Sequence, residues 1–316
     1  MSESLRGVLA MIAACTIWGL SPLFYKLLDH VPPPEVLAHR TLWSVIFFSG
    51  VLALQGRLSE LRAALRGRKQ VAMIVIAGLM ISVNWFTFIT SIQIGRATEA
   101  SLGYYIFPLM AVLVGWFWFG ERLGGLQWMA VGLAAIAVGL LSWGLGATPW
   151  ISLIVSVTFA LYGALKKQLP LGPVVSVTAE ILVLMPIWLL LLAWYHGTGQ
   201  GAFGLDLGES LLLMFSGPMT AMPLILFAMA ARRVALSTVG LLQYLNPTLQ
   251  FFCAVVVFGE PFTPWHQLAF SLIWMALAVF SLASLRQDRA ARRASTALSE
   301  SSAHVRNPAS DGSANP

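Results

Sequence analysis

The sequence predicts an all-α membrane protein in which ten transmembrane helices form two inverted five-helix repeats. Three observations predict this fold: the composition, the spacing of long apolar runs, and a sequence unit that occurs twice. Hydrophobic residues make up 58% of the 316 residues and charged residues only 10%, whereas roughly a quarter of the residues are charged in a typical soluble domain. The chain is therefore expected to lie in a lipid bilayer, so lipid is a predicted partner.

Ten apolar runs are each long enough, at about 17 to 25 residues, to cross roughly 30 Å of hydrocarbon. The first run contains Pro22 and Lys26, and the sixth run is short. We interpret the first run as a span rather than a cleavable signal peptide, because it is too long and belongs to the repeat described next. The predicted spans are 7–28, 35–54, 70–94, 98–119, 124–145, 150–165, 174–195, 211–230, 235–258 and 265–285.

A unit that ends in Phe-Gly-Glu occurs in both the fourth and the ninth run. The triplets that end at Glu121 and Glu260 each follow a proline, Pro108 or Pro247, by thirteen residues. Five spans per half is an odd number, so the second half enters the membrane from the opposite side, as in transporters built from inverted repeats. Without a gap, the copies share two further identities, Leu102 with Leu241 and Tyr105 with Tyr244.

The repeat divides the chain into residues 1–147, residues 148–285 and a tail, residues 286–316. In the looser part of the alignment, Arg40 of the second span corresponds to Glu180 of the seventh, which predicts related depths for these two charges. The tail is rich in Ser, Ala and Arg and has no apolar periodicity. We therefore predict a disordered cytoplasmic tail whose arginines lie near anionic headgroups.

The basic residues predict an orientation with both termini in the cytoplasm. Sixteen of the 19 Lys and Arg residues then lie in cytoplasmic loops and ends, which satisfies the positive-inside rule. They are spread over several loops, so a nucleic-acid partner is excluded. The two cysteines, Cys15 and Cys253, lie in separate spans, so neither a disulfide nor a metal site is predicted. No cofactor is expected, and no Gly-rich phosphate loop indicates an ATP site.

Three residues place ionisable groups within spans, where a charge costs several kcal/mol unless it faces the bundle interior or a wet cavity. Arg40 either holds an anionic group of a solute or forms a pair with Glu180, and that pair is either exchanged during transport or permanent and structural. A histidine side chain such as that of His39 ordinarily titrates near neutral pH, which suits proton coupling. The alternative for His39 is a hydrogen-bonded interior side chain.

The two prolines predict a solute site near the middle of the membrane. Pro108 and Pro247 each remove a backbone donor and free a carbonyl that needs a polar neighbour. Aromatic residues flank the first proline and both aromatic and amide residues flank the second, which suits a binding site, although packing alone could also explain the kinks. The predicted solute pathway consists of Trp18, His39, Arg40, Trp43, Asn84, Trp85, Tyr104, Tyr105, Pro108, Tyr162, Glu180, Gln243, Tyr244, Asn246 and Pro247.

Four segments carry a resemblance to a known family, from about Arg6 to Leu285. They are residues 39–44 (HRTLWS), 99–105 (EASLGYY), 237–240 (STVG) and 243–248 (QYLNPT). The chain resembles the RarD group of EamA-family transporters, within the drug/metabolite transporter superfamily. The resemblance implies ten helices in two inverted halves, a bacterial inner-membrane location, and transport of small metabolites or drugs.

One position departs from the family pattern as we know it, in which an asparagine precedes the proline of the first copy. Here Phe107 precedes Pro108, and Asn246 precedes Pro247 in the second copy. If that amide binds solute, the polar wall of the site lies in the second half of this chain.

These observations predict a secondary transporter, an exporter or permease rather than an enzyme, that moves small organic solutes by alternating access. An uncoupled facilitator is the alternative. A membrane enzyme or signalling subunit is a third interpretation, and it would require a nucleophile with its base or paired carboxylates at one depth. The sequence leaves open the solute, the direction, the coupling ion and the oligomeric state.

Overall fold

A backbone that crosses lipid must satisfy its own hydrogen bonds, so each long apolar run is expected to form a helix. The computed structural model describes residues 3–146, 148–234 and 236–305. Within these residues, ten segments are long and apolar enough to span a membrane, which confirms the predicted helical fold with ten spans. The helices are α1 Glu3–Lys26, α2 Pro33–Leu54, α3 Leu58–Ala64, α4 Arg68–Gln93, α5 Ala97–Phe119, α6 Gly125–Leu145, α7 Trp150–Gln168, α8 Pro173–Gly197, α9 Leu207–Ala231, α10 Leu236–Gln243, α11 Leu245–Phe252 and α12 Pro264–Val305.

The two copies of the repeat unit differ in helix continuity. In the second copy, α10 ends at Gln243, α11 begins at Leu245, and a π-helical turn follows over Cys253–Val257. Pro247 has no N–H to donate to the carbonyl four residues earlier, which weakens the helix at this point. In the first copy, α5 continues across Pro108 without interruption. The prolines were both predicted to kink their helices, and the helix is divided only in the second copy.

The two halves pack through matching pairs of helices. α1 packs against α9 as α7 packs against α4, and α5 packs against α7 as α11 packs against α1. Equivalent helices of the two halves also meet directly, α2 with α8 and α6 with α12. A twofold relation that exchanges the halves produces this pattern, so the packing is consistent with two inverted repeats.

Glycines permit close helix crossings at two matching positions. At Gly217 of α9, an added Cβ would lie 2.5 Å from the carbonyl carbon of Trp43 in α2. At Gly78 of α4, an added Cβ would lie 3.1 Å from the carbonyl oxygen of Glu180 in α8. Small residues allow membrane helices to approach closely. The two glycines correspond in the gapless alignment of the halves, so the halves share this crossing as well.

The last helix continues beyond its membrane span. α12 ends at Val305, whereas its span ends at Ala283. Composition predicts a disordered tail over residues 286–316, but the backbone of residues 286–305 continues the helix. Alanine and arginine are frequent in this segment and are good helix formers, which favours a helical backbone. The remainder of the predicted tail, residues 306–316, lies outside the described residues.

Candidate functional site

A cavity of about 420 Å³ lies between the two halves, within the size range of small-molecule pockets, about 300 to 1,000 Å³. The first half contributes walls from α1, α2, α4 and α5, and the second half contributes α7, α8, α9, α10 and α11. The polar and charged residues that line the cavity are Ser21, Tyr25, Arg40, Asn84, Tyr104, Tyr162, Lys166, Thr220, Gln243, Tyr244, Asn246 and Gln250.

Most residues of the predicted solute pathway line this one cavity. Both repeat prolines are among them, together with most of the aromatic and amide residues that flank them. The two copies of the repeat unit therefore meet at the same cavity, as the sequence predicts. The predicted residues that line it are Trp18, Arg40, Asn84, Trp85, Tyr104, Pro108, Tyr162, Gln243, Tyr244, Asn246 and Pro247.

His39 and Trp43 do not line the cavity, which corrects their predicted placement. The His39 ring stacks on Phe203 with centroids 4.9 Å apart, and the Trp43 ring lies 6.1 Å from the same phenylalanine. One helical turn separates the two residues, so both lie on the α2 face that meets α9 and the loop before it, while Arg40 lies on the neighbouring face. His39 is an interior residue, 3% exposed, and neither ring nitrogen has a hydrogen-bond partner among the described residues.

Tyr105 joins the two repeat copies instead of lining the cavity. Its side chain is 3% exposed, and its hydroxyl lies 2.7 Å from the hydroxyl of Thr248, next to Pro247. The Tyr105 ring packs edge-on against Phe270 and Trp274 of α12. Its predicted contact with solute is therefore not present here, because helix packing occupies both its ring and its hydroxyl.

Glu180 is fully buried behind the cavity wall, and its carboxylate accepts three hydrogen bonds. The donors are the Lys166 ammonium at 2.7 Å, the Ser176 hydroxyl at 2.8 Å and the Tyr162 hydroxyl at 3.0 Å. One of the two sequence alternatives is an ion pair between Arg40 and Glu180. Among the described residues this pair does not form, because Lys166 provides the positive charge at Glu180. Glu180 itself does not line the cavity.

Arg40 is the cation of the first-half wall. It is only 6% exposed, and its guanidinium carbon lies 4.1 Å from the ring centroid of Trp85 and 5.5 Å from that of Tyr25. Its Nε is buried and has no hydrogen-bond partner. No acidic side chain among the described residues forms an ion pair with it. Aromatic faces stabilise this charge in place of a carboxylate.

Asn84 lines the cavity but uses its amide to connect the halves. Its side-chain nitrogen donates to the carbonyl of Val155 at 2.8 Å and to the hydroxyl of Thr158 at 3.1 Å, both in α7. Its side-chain oxygen accepts a hydrogen bond from the Tyr104 hydroxyl at 2.9 Å. Asn84 therefore positions Tyr104 in the wall, and its amide has little capacity left for a solute.

The second-half wall carries amide groups beside the break between α10 and α11. Gln250 donates to the side-chain oxygen of Asn246 at 3.0 Å, while its own Oε1 is buried without a partner. Gln243 precedes the break and also lines the cavity. Because a buried amide oxygen without a donor is costly, this wall can accept a hydrogen bond from a solute.

Sequence reasoning missed several lining residues, of which Lys166 and Tyr25 matter most. Lys166 counted only toward the positive charge of a cytoplasmic loop, yet it lies one helical turn after Tyr162 on the same face of α7. Tyr25 lies two turns after Trp18 on α1, and the same helical spacing would have placed it in the cavity wall. The signal was present in both cases, and applying the helical period to each predicted wall residue would have found it.

The two ends of the cavity differ. At one end it extends to Leu171 and Pro173, where the chain passes from α7 to α8. At the other end, the Glu260 carboxylate accepts hydrogen bonds from the backbone N–H groups of Ala97 and Thr98 and from the Thr98 hydroxyl, each at 2.7 Å. Glu260, the last residue of the second Phe-Gly-Glu triplet, therefore caps α5 of the other half.

Comparison with known proteins gives one family. Residues 5–143 match the EamA-like transporter family. Protein RarD of Streptomyces exfoliatus is 41% identical over 292 residues, which cover 92% of this chain and 93% of that protein. Protein RarD of Escherichia coli strain K12 is 33% identical over 91% of this chain and 97% of its own. The chloramphenicol-sensitive protein RarD of Pseudomonas aeruginosa is 30% identical over 90% of this chain and 97% of its own.

One crystal structure of a protein superposes on 89% of this chain and on 99% of its own length with a TM-score of 0.59. The two sequences are 21% identical, so this likeness bears on the fold alone.

Proposed function

The chain belongs to the EamA-like transporter family as a RarD-type member, and on that premise we propose that it exports small amphipathic or zwitterionic organic solutes by alternating access. The halves 1–147 and 148–285 would move relative to each other around a solute bound between them. The family and the ten apolar helices make it a multi-pass protein of the bacterial inner membrane.

The observation that supports the proposal most strongly is the cavity between the halves. Its walls combine aromatic rings with a few polar groups, such as Arg40 and Asn246, as expected of a small-molecule site. Both halves contribute, and a site at the interface of two repeats can be exposed to each side of the membrane in turn. A protein with only a structural or signalling role has no need of such a cavity.

The proposed direction of transport rests on the end of the cavity near the loop between α7 and α8. The cavity extends to Leu171 and Pro173, and the positive-inside rule assigns this end to the cytoplasm because Lys166 and Lys167 lie beside it. A cytoplasmic solute that enters the cavity from this end would be carried outward, which is the direction we propose. The same rule puts both termini and residues 55–69 in the cytoplasm. Labelling of a cysteine within residues 55–69 from the periplasm of intact cells would contradict this orientation.

The energy is expected to come from an ion or solute gradient, since the sequence has no phosphate-binding loop. Proteoliposomes loaded with a metabolite library, with and without a pH gradient, test both the transport and its coupling. Efflux that responds to the gradient indicates proton coupling. Equal efflux in both conditions indicates the uncoupled facilitator.

A cysteine at the cavity wall tests whether the solute passes through the cavity. Gln243 lines the cavity, so a membrane-permeant thiol reagent should abolish efflux in the Gln243→Cys variant. Leu190→Cys is the matched control, because Leu190 lies on α8 and is 73% exposed on the helix surface. Native Cys15 and Cys253 are buried, which limits background reaction. Efflux that survives modification of Gln243→Cys would contradict a pathway through this cavity.

A further inference from the structure

We propose that Arg40 binds the carboxylate of the transported solute, which makes the preferred solute a small organic anion with an aromatic or apolar body. This inference rests on the proposed transport function and deepens it, because it identifies the chemical class of the solute.

The first argument is that Arg40 has a buried charge without a counterion. It is 6% exposed, lines the cavity, and forms no ion pair with any acidic side chain of the described residues. A cation in such a position is costly unless another group compensates it. An anion in the cavity would supply that compensation.

The second argument concerns which part of the guanidinium is occupied. The ring centroids of Trp85 and Tyr25 lie 4.1 and 5.5 Å from its central carbon, and such rings attract the charge without accepting its N–H groups as a carboxylate would. Its Nε is buried without a partner, which leaves the two terminal NH2 groups to donate into the cavity that Arg40 lines. A carboxylate fits these groups because its two oxygens can accept two parallel hydrogen bonds.

The third argument is the charge balance of the cavity. Its charged lining residues are Arg40 and Lys166, and Lys166 already pairs with Glu180 at 2.7 Å. Because Glu180 neutralises Lys166, one positive charge remains, at Arg40. The remaining field attracts an anion and repels an organic cation.

The walls around Arg40 indicate the rest of the solute. Trp85, Phe88 and Tyr104 line the same cavity as the arginine, and Tyr104 is held by Asn84 through a hydrogen bond of 2.9 Å. Aromatic rings of this kind bury apolar and aromatic groups and offer few hydrogen bonds. A carboxylate attached to a ring or a branched apolar group matches both the charge and the walls.

Calorimetric titration of the purified full-length protein with phenylacetate and with phenylacetamide tests the proposal. The two probes have the same ring and differ in charge. Since a hydrogen bond to a charged group is worth more than one to a neutral group, we expect phenylacetate to bind about tenfold to a hundredfold more tightly. Arg40→Gln should remove this preference, and Arg40→Lys should retain part of it, because lysine keeps the charge without the bidentate geometry.

Arg62→Gln is the matched control, since Arg62 is exposed on α3 and does not line the cavity. It removes the same charge and should leave the preference unchanged. Three results overturn the proposal: equal affinity for the two probes, no binding of either probe, or a preference that survives in Arg40→Gln. Efflux that is blocked at Gln243→Cys while the carboxylate preference is absent would leave the transport function in place and reject only the solute class. If Arg40→Gln does not insert, the Arg40→Lys titration decides alone, because an unchanged affinity in that variant contradicts a bidentate contact.

Discussion

The two Phe-Gly-Glu triplets have the same sequence and different contacts. Glu260 is 9% exposed and accepts three hydrogen bonds from the first residues of α5, across the two halves. Glu121 has a side chain that is 49% exposed and pairs with Lys167 at 2.7 Å. The Glu260 carboxylate caps the positive end of a helix from the opposite half, whereas the Glu121 carboxylate lies at the surface.

This difference shows how a repeated sequence produces an asymmetric conformation. If the halves are inverted, the triplets lie at opposite ends of the bundle. Both carboxylates contact the other half, but the contact of Glu260 with α5 is buried and that of Glu121 with Lys167 is exposed. The cavity extends toward the other end, to Leu171 and Pro173. A buried helix cap at one end and an exposed ion pair at the other is the kind of asymmetry that alternating access requires of one of its two states.

The positions of Arg40 and Glu180 show the same asymmetry. They correspond in the repeat, yet Glu180 has Lys166, Ser176 and Tyr162 as partners, while Arg40 contacts Trp85 and Tyr25 and pairs with no carboxylate among the described residues. The Glu180 carboxylate has a counterion without a solute, whereas the Arg40 guanidinium has none among the described residues. Substitutions at these paired positions should therefore have unequal effects.

The largest effect is expected at the buried pair of the second half. Glu180→Gln should lower the free energy of unfolding by roughly 3 kcal/mol, because it leaves Lys166 in a buried site without its counterion. The estimate is at the lower end for buried pairs because the Lys166 side chain is 24% exposed. Adding Lys166→Met should restore most of the loss, since the double variant has no unpaired charge. Chemical unfolding of the purified variants measures the cycle.

The cycle of Arg40 with Glu180 serves as its control. These residues share no hydrogen bond or ion pair among the described contacts, so the effects of Arg40→Gln and Glu180→Gln should add. Strong coupling between the Arg40 and Glu180 substitutions would show that the two residues pair in another populated conformation. It would contradict the conclusion that only Glu180 has a counterion.

A smaller effect is expected for Glu260→Ala. The change leaves the N–H groups of Ala97 and Thr98 and one hydroxyl without their acceptor, which should cost on the order of 2 kcal/mol after water has replaced part of the contact. The end of the cavity beside α5 should also open. Ser21→Cys lines the cavity, and its labelling by an impermeant thiol reagent from the periplasm should become faster when Glu260→Ala is added. An unchanged labelling rate would mean that Glu260 does not close this end.

Thr98→Val should have a still smaller effect, because it removes one of the three hydrogen bonds to Glu260 and keeps the side-chain shape. We expect a loss of about 1 kcal/mol in the free energy of unfolding. Ser142→Ala is a suitable control, since the Ser142 hydroxyl bonds only within α6, to the carbonyl of Val138 at 2.8 Å. A loss at Thr98 no greater than that at Ser142 would contradict a closing role for this contact.

The sequence predicted the fold and much of the cavity because both depend on periodic features. Apolar runs of sufficient length specify ten spans, and the repeat brings Pro108 and Pro247 together at one cavity. Side-chain direction was harder to predict. His39 and Arg40 are neighbours in sequence, but one helical step turns His39 toward Phe203 and Arg40 toward Trp85, and only the packing of α2 against its neighbours determines which of the two faces the cavity.

The partner of Glu180 could not be predicted for a related reason. Depth along the membrane normal, which the repeat provides, made Arg40 the expected partner. The distance between helices within the membrane plane decided the outcome, because α7 brings Lys166 to Glu180 at 2.7 Å. A repeat alignment carries no information about that lateral distance.

The smallest effect on stability is expected for Glu121→Gln, and this variant tests the comparison of the triplets most directly. Its pair with Lys167 is exposed, and exposed pairs contribute about 0 to 1 kcal/mol, so unfolding of the variant should match that of the native protein. By the symmetry of the repeat, Glu121 is expected to cap α10 in the opposite state, just as Glu260 caps α5 in this one. Efflux from proteoliposomes should therefore slow in Glu121→Gln even though stability is unchanged. Lys167→Met is the control: it removes the present partner of Glu121 and leaves the carboxylate free, so efflux should persist. If Glu121→Gln transports as the native protein does, the two triplets are alike only in sequence, and closure of the cytoplasmic end must depend on other residues.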